Sequence, residues 1–408
     1  MKLIVNGFSP WSRRVNIGIG WIRLNLIVTL SLRKVIVARR GLGISSFVSF
    51  YLIVELVKDC SNIVLEFHLK YLCIMDIASD VKLKLLNATQ AQSISRIECI
   101  QDLWGGYGQL FRAYLTGSVY PSVVVKHIKF PQSAHHPRGW NTSLSHQRKL
   151  KSYQVEVNWY QTYSHLTDRH SFVPNCLQVE SSEEEVLLIL EDLHQAGFPV
   201  VKKAADLVEI KACIHWIASF HALHMHRKPD GLWPVGTYWH LETRPDELAV
   251  LGDEKLKKAA PLIDQVLNQC QYQTLVHGDA KLANFCFSEE GNKVAAVDFQ
   301  YIGQGCGMKD LILFISSCVS EQDSERLEKE LIDYYFDVLT FELQRHNKDV
   351  EPQAVEKEWR PLFAVAWADF HRFVKGWCPD HWKINGYTEG LAQQALQQLE
   401  AVERNEAN

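Results

Sequence analysis

No two cysteines in this sequence stand at CxxC spacing, although it has ten, at positions 60, 73, 99, 176, 213, 270, 286, 306, 318 and 378. Thiols scattered in this way through a chain of 408 residues argue against a zinc ribbon or a disulfide framework and fit a reduced, cytoplasmic protein. A basic stripe interleaved with aromatics is also missing, and the net charge is −4, which excludes a general nucleic-acid-binding role. Internal repeats and low-complexity segments are absent. Long apolar runs are lacking too. The run from Ile17 to Leu30 is interrupted by Arg23, and that from Gly41 to Val54 gives 14 uncharged residues before Glu55, short of the roughly 20 that a bilayer needs. Neither run is placed like a secretory signal.

Both runs belong to a segment unlike the rest of the chain. Before Met75 there are ten Lys/Arg against three Asp/Glu, a net charge of +7, whereas the remainder carries −11. Such a basic, apolar segment is either an amphipathic membrane anchor or not part of the native product, with translation starting at Met75; the second reading is preferred. The organisation expected is therefore 1–74 as an uncertain segment, 75–193 as a nucleotide-binding lobe that ends in a hinge, and 194–408 as a catalytic and acceptor-binding lobe.

What the sequence does contain is His277-Gly278-Asp279-Ala280-Lys281-Leu282-Ala283-Asn284, followed shortly by Val297-Asp298-Phe299-Gln300. Between them Phe285-Cys286-Phe287 and Val294 to Val297 read as the two strands of a hairpin, with Ser288 to Lys293 as the turn. In an antiparallel hairpin the start of one strand lies beside the end of the next, so Asn284 and Asp298 meet at one edge, with Asp279 on the loop just before. Two carboxylates and an amide oxygen then surround one small volume, a donor set suited to Mg²⁺. Phosphoryl transfer needs this set: an Asp to accept the proton of the attacking hydroxyl, and an Asn and a second Asp to hold metal on the phosphates.

Upstream, Gly105-Gly106-Tyr107-Gly108 precedes a strand from Gln109 to Leu115, and Ser122 to Ile128 is a second, β-branched strand carrying Lys126. Glycines let backbone approach nucleotide phosphates, and a strand Lys reaches the α and β phosphates; a plain hairpin turn would look the same. Residues 131–141 form a His-, Pro- and Gly-rich loop, after which Ser143 or Ser145 caps a helix running to about His165. Glu156 is its only carboxylate and hence the candidate partner of Lys126; a solvated helix residue is the alternative. Val186 to Leu190 is a buried strand, and Glu191 to Leu193 follow it where a kinase hinge reads the adenine edge. The remaining pattern is helical: 204–226, 255–268, 311–319, 325–346 and 356–375. His221, His224 and His226 lack an acidic or Cys partner in the pattern and are read as satisfied helix histidines.

The ordered set HGDxKxxN and DFQ resembles the catalytic core of the choline/aminoglycoside kinase-like phosphotransferases, more specifically their ecdysteroid-kinase-like branch. The resemblance runs from about Leu83 to the end. It implies an α+β, bilobal protein-kinase-like fold with a small β-rich N-lobe and a larger, mainly helical C-lobe. It also implies ATP and Mg²⁺ as cofactors and transfer of the γ-phosphoryl group to a small-molecule alcohol. Asp279 matches the catalytic base, Asn284 and Asp298 the metal ligands, Lys126 the phosphate-binding Lys and Glu156 its partner. Lys281 matches a position whose cation stabilises the transferring group, and Asp310 either caps its helix or holds the catalytic loop. Gly278 replaces the Arg of a protein kinase HRD, and the short span from Gln300 to Asp310 leaves no peptide-docking segment. A nucleotide-binding pseudokinase and a membrane-associated small-molecule kinase are the competing classes. Trp367, Asp369, Arg372 and Trp377 are either core or the acceptor's pocket wall; in the second case a largely apolar or weakly cationic alcohol is expected, with cation–π contact to the Trp faces.

Overall fold

The computed structural model describes residues 13–19, 22–28, 48–59 and 62–73 as backbone strands, and residues 77–103, 106–130 and 142–406 in greater detail. Two compact units divide the chain, Met1–Ala78 and Ser79–Asn408. In the first, β1 (Arg13–Ile19) pairs antiparallel with β2 (Ile22–Val28), and β3 (Val48–Asp59) with β4 (Asn62–Cys73). The Ile-, Val- and Leu-rich composition suits strands. Among the described residues no helix is long and apolar enough to cross a membrane.

The second unit opens with α1 (Ser79–Thr89), β5 (Ser93–Asp102), β6 (Gly108–Thr116) and β7 (Ser122–Lys129). Then come α2 (Thr142–Thr162), β8 (Cys176–Ser181) and β9 (Glu185–Glu191). The strands form one antiparallel sheet in the order β5-β6-β7-β9-β8. Central β7 and β9 are rich in Val, Ile and Leu because both faces are largely covered, and Val123, Val125, Ile128 and Val186 to Ile189 are buried. The helix expected after the loop already starts at Thr142, so Ser143 and Ser145 lie in its first turn rather than at its cap. The loop itself falls at 131–141, outside the described residues.

From β10 (Val200–Val201) onward the fold is mainly helical. Its elements are α3 (Leu207–Leu223), α4 (Pro245–Ala249), α5 (Glu254–Gln269), β11 (Thr274–Val276), β12 (Phe285–Phe287), β13 (Val294–Ala296) and β14 (Gly303–Gly305). They continue with α6 (Met308–Cys318), α7 (Glu321–His346), α8 (Pro352–Trp359), α9 (Leu362–Trp377) and α10 (Gly386–Glu406). Helix α3 starts on a capping box, Asp206 accepting from the Glu209 N–H while Glu209 accepts from the Asp206 N–H. The single helix expected over 356–375 is two, because Pro361 has no N–H to donate and its ring excludes a helical turn before it.

A buried aromatic stack joins the sheet-bearing part to the helical part. Phe299 lies 4.4 Å from Trp159 on α2, centroid to centroid, and 4.6 Å from the His277 ring. Trp216 and Phe220 of α3 close it from the other side. The result is an α+β, bilobal kinase-like fold with the segment after β11 lying at the seam.

Candidate active site

Strand β11 ends at Val276 and releases the chain into a tight loop. Gly278 takes φ +78°, and a Cβ there would run into the Tyr301 carbonyl oxygen. No side chain fits, so the Arg of a protein-kinase loop is excluded sterically. The loop is held from behind by Asp310 on α6, whose buried carboxylate accepts the backbone N–H groups of His277 (2.5 Å) and Gly278 (2.9 Å). Gly307, not Asp310, occupies the α6 cap, without a side-chain capping bond. His221 Nε2 lies 3.1 Å from the same carboxylate, and its Nδ1 lies 2.8 Å from the Tyr335 hydroxyl. His277 is fixed at both ring nitrogens: Nδ1 accepts the Asp279 N–H at 3.2 Å, which leaves Nε2 to donate to the Val297 carbonyl at 3.0 Å.

The β12–β13 hairpin aligns Phe285 with Ala296, and the Val297 N–H donates to the Asn284 carbonyl at 3.0 Å, which sets Asn284 beside Asp298. Asn284 turns its amide N–H₂ toward Asp279, donating to the carbonyl at 2.8 Å and to Oδ2 at 3.2 Å. Lys281 Nζ donates to that same Oδ2 at 2.8 Å. The other oxygen, Asp279 Oδ1, is buried with no hydrogen-bond partner among the described residues. Burial raises the Asp279 carboxyl above its usual range against the pull of Lys281, and the Asp298 charge adds to the rise. Asp298 sits at φ +71°, strained for a non-glycine residue, and its Oδ1 accepts from Lys126 Nζ (3.2 Å) and Gln300 Nε2 (2.8 Å). Enclosure works to raise its carboxyl, but Lys126, then Lys149 and Lys281, hold it at about 2.

Lys126, on β7, donates to both oxygens of Glu156 on α2, at 2.8 and 2.7 Å. Burial alone would lower its ammonium; Glu156 and Asp298 reverse that and keep it charged. Gly105 lies outside the described residues. Gly106 is exposed at φ +79°, and Gly108 begins β6 opposite Ile128 at φ +133°, where a Cβ would meet the His127 carbonyl. Of the residues expected at a hinge, Glu191 donates its N–H to the Asn175 carbonyl and the Leu193 carbonyl accepts from Phe198. That leaves the Leu193 N–H without an internal partner among the described residues. Between them buried Asp192 takes Arg112 at 2.7 and 3.3 Å and Ser122 at 2.5 Å, which pins this segment to the sheet.

Beside the loop opens a cavity of about 310 Å³ between α2, the 238–244 segment, α9 and the α9–α10 connection. Tyr238, Tyr301, Phe370, Phe373 and Trp377 line it. So do Arg148, Lys149, Arg244 and Lys383, and among the described residues no carboxylate does. Arg244 lies over the Phe373 ring and Lys383 over the Phe370 ring, at 5.2 and 5.1 Å.

The ecdysteroid kinase-like family model matches this sequence over residues 124–231 and 240–348, more than half of the chain. The chain belongs to the ecdysteroid kinase-like family. No curated protein matches it. Among solved structures, a choline kinase from Cryptosporidium parvum is similar at 11% identity and TM-score 0.43, covering 80% of this chain and 96% of its own. An aminoglycoside phosphotransferase from Streptomyces rimosus, in complex with ADP and streptomycin, is similar at 17% identity and TM-score 0.40, covering 66% and 97%. Membership of this family indicates a small-molecule phosphotransferase of the kinase-like superfamily.

One expectation is corrected and one open alternative is divided between its two readings. His221 is bonded at both nitrogens, but His224 is not a satisfied histidine: it is buried with neither nitrogen hydrogen-bonded, wedged against Phe220 (4.6 Å) and Trp159 (5.8 Å). Burial drives it down to about 3, so it is a neutral ring in an aromatic core. Among the C-terminal aromatics, Trp367 is core, and Asp369 and Arg372 form a buried pair at 2.7 Å that also holds Trp239. Of the four, Trp377 does line the cavity, on the same face of α9 as Phe370 and Phe373.

The role of Gln300 within DFQ, and several other site residues altogether, left no local signal. Gln300 bridges Asp298 to Lys149, accepting from Lys149 Nζ at 2.8 Å. Tyr238, Arg244 and Lys383 come from segments without a motif, brought to the loop only by the tertiary fold.

Proposed function

We propose that this chain transfers the γ-phosphoryl group of ATP to the hydroxyl of a small molecule, with Mg²⁺. The observation that carries the reading is Asp279 Oδ1, a buried carboxylate oxygen with no hydrogen-bond partner among the described residues. Leaving such an atom unpaired is costly unless a ligand completes it. Its partner Oδ2 is fixed by Lys281 and Asn284, so Oδ1 is the atom positioned to accept a substrate proton.

The donors fit a hard cation. With Asn284 Nδ2 committed to Asp279 and Asp298 Oδ1 committed to Lys126 and Gln300, Asn284 Oδ1 and Asp298 Oδ2 remain as oxygen ligands. Mg²⁺ bound there would offset negative charge on the phosphates. Lys126, held by Glu156, supplies a fixed ammonium for the nucleotide phosphates, and the Leu193 N–H an adenine contact. The acceptor O–H gives its proton to Asp279 as its oxygen forms the new O–P bond. The bond from the γ-phosphorus to the β–γ bridging oxygen breaks, and ADP leaves. Lys281 carries positive charge beside that developing centre. A screen of alcohols with ATP, read by mass gain of one phosphoryl group, tests the reading: transfer should require Mg²⁺ and be lost in Asp279→Asn. ATP binding without transfer to any alcohol would favour a pseudokinase.

A further inference from the structure

The aromatic cavity beside Asp279 is positively charged in a way the phosphotransfer machinery does not account for. Lys149 belongs to the metal-proximal cluster through Gln300. Arg148 and Lys383 do not. Arg148 donates to the Thr243 carbonyl at 2.7 Å and to Ser145 Oγ at 3.2 Å, with no carboxylate in ion-pair reach among the described residues. Its neighbour Arg244 is paired with buried Glu247 at 3.2 Å. Two guanidiniums share this end of the cavity, and burial together with the Arg244 charge lowers the Arg148 pKa, with Tyr301, Glu247 and Asp246 opposing. At the other side Lys383 donates to Ser316 Oγ at 3.0 Å and likewise lacks a carboxylate partner among the described residues. The undescribed loop 131–141 contains no Asp or Glu either.

Desolvated like charges are expensive unless a ligand neutralises them. A cationic acceptor would meet this field directly, and the faces of Phe373 and Phe370 already lie beneath Arg244 and Lys383. The weakly cationic alternative expected from the sequence therefore does not suit the cavity.

Resting on the phosphotransferase reading, we propose that the acceptor is a hydroxylated oxyanion: an aromatic or apolar body that packs on Tyr238, Phe370, Phe373 and Trp377, with a carboxylate or sulfo group received by the Arg148 guanidinium in the field of Arg244 and Lys383. A guanidinium presents paired donors that match such a group. Arg148 is then a specificity-determining residue, and its action is on acceptor affinity, not on ATP.

The test is calorimetric binding of a matched series to the full chain with the non-hydrolysable ATP analogue present. The series is a naphthylmethanol bearing a carboxylate, its sulfonate counterpart, the unsubstituted alcohol and the aminomethyl analogue. The anions should bind about 10- to 100-fold more tightly than the neutral alcohol, the span of one charge-assisted hydrogen bond, and the amine least tightly. Arg148→Met should abolish the preference while ATP affinity stays unchanged, and Arg148→Lys should retain part of it. Equal or tighter binding of the neutral or cationic compound, no binding by any of the four, or loss of ATP affinity instead of anion affinity in Arg148→Met overturns the proposal. Anion binding that Arg148→Met abolishes, without phosphoryl transfer to any alcohol, would fail the phosphotransfer reading and overturn the anion's role as acceptor, leaving only an anion-binding cavity. Transfer to neutral alcohols alone would overturn the proposal and leave the phosphotransfer reading standing.

Discussion

The Gly278 backbone N–H donates to Asp310 Oδ1 at 2.9 Å, so the turn before Asp279 is fixed by a side chain 32 residues further along the chain. The same carboxylate takes the His277 N–H and faces His221. Asp310→Asn replaces one acceptor oxygen by a donor and strands at least one buried N–H, at about 1–3 kcal/mol. A displacement of the loop by an ångström costs about 10²-fold in turnover. Kinetics should show kcat falling by that order with the KM for ATP nearly unchanged; an equal rise in KM would place Asp310 in nucleotide binding instead.

Asp279→Asn removes the proposed proton acceptor and keeps the size of the side chain. Turnover should fall by about 10²- to 10⁴-fold. ADP affinity and the melting temperature should change little, because Lys126, Glu156 and Asp298 are untouched. Full activity in this variant would refute the mechanism.

The pair Lys126–Glu156 is almost entirely buried, with side chains 8% and 2% exposed. Lys126→Met leaves the Glu156 carboxylate without its partner, and breaking a buried pair from one side costs about 3–5 kcal/mol. Thermal unfolding should shift down markedly and nucleotide binding should be lost. The double change Lys126→Met with Glu156→Leu should recover most of the stability but none of the binding.

The parts of the site built by sequential neighbours were legible in the sequence. Asn284 and Asp298 are joined by a short hairpin whose turn and alternation are local, and Lys126 sits in a strand whose β-branched run announces itself. Asp310 was ambiguous because a helix N-terminal Asp has two ordinary uses and only its contacts with the loop choose between them. Pro361 gave a readable break that the apolar periodicity on either side obscured. The cavity was not legible: which of the C-terminal aromatics face it depends on how α9 is rotated against the 238–244 segment. Trp367 and Phe370 are chemically alike in sequence, yet one is core and the other lines the wall.

The first 74 residues carry a net charge of +7 against −11 for the remainder, and every site residue named above lies after Met75. A chain beginning at Met75 should unfold cooperatively at the same temperature as the full chain and turn over ATP equally. A drop of several degrees, corresponding to about 1 kcal/mol or more in a domain of this size, would show that the segment stabilises the kinase-like unit.

Lys383 supplies the pH dependence. Burial brings its ammonium down to about 8, with Lys281 adding repulsion and Asp279 and Cys318 opposing. The Ser316 hydroxyl and the rings of Phe370 and Trp382 complete its surroundings. Because its value lies below the ordinary 10.5, the lysine is charged at neutral pH and loses its proton as the pH rises through about 8. The charged form attracts an anionic acceptor, so affinity for the naphthyl carboxylate should hold below that pH and fall above it, by up to about tenfold between about pH 7 and about pH 9. Affinity for the neutral alcohol should stay flat over the same range, since nothing in that ligand responds to the lost charge. Lys383→Met should remove the slope while the preference due to Arg148 remains. Calorimetry across the pH series checks both, and parallel profiles for the carboxylate and the neutral alcohol would exclude Lys383 from acceptor recognition.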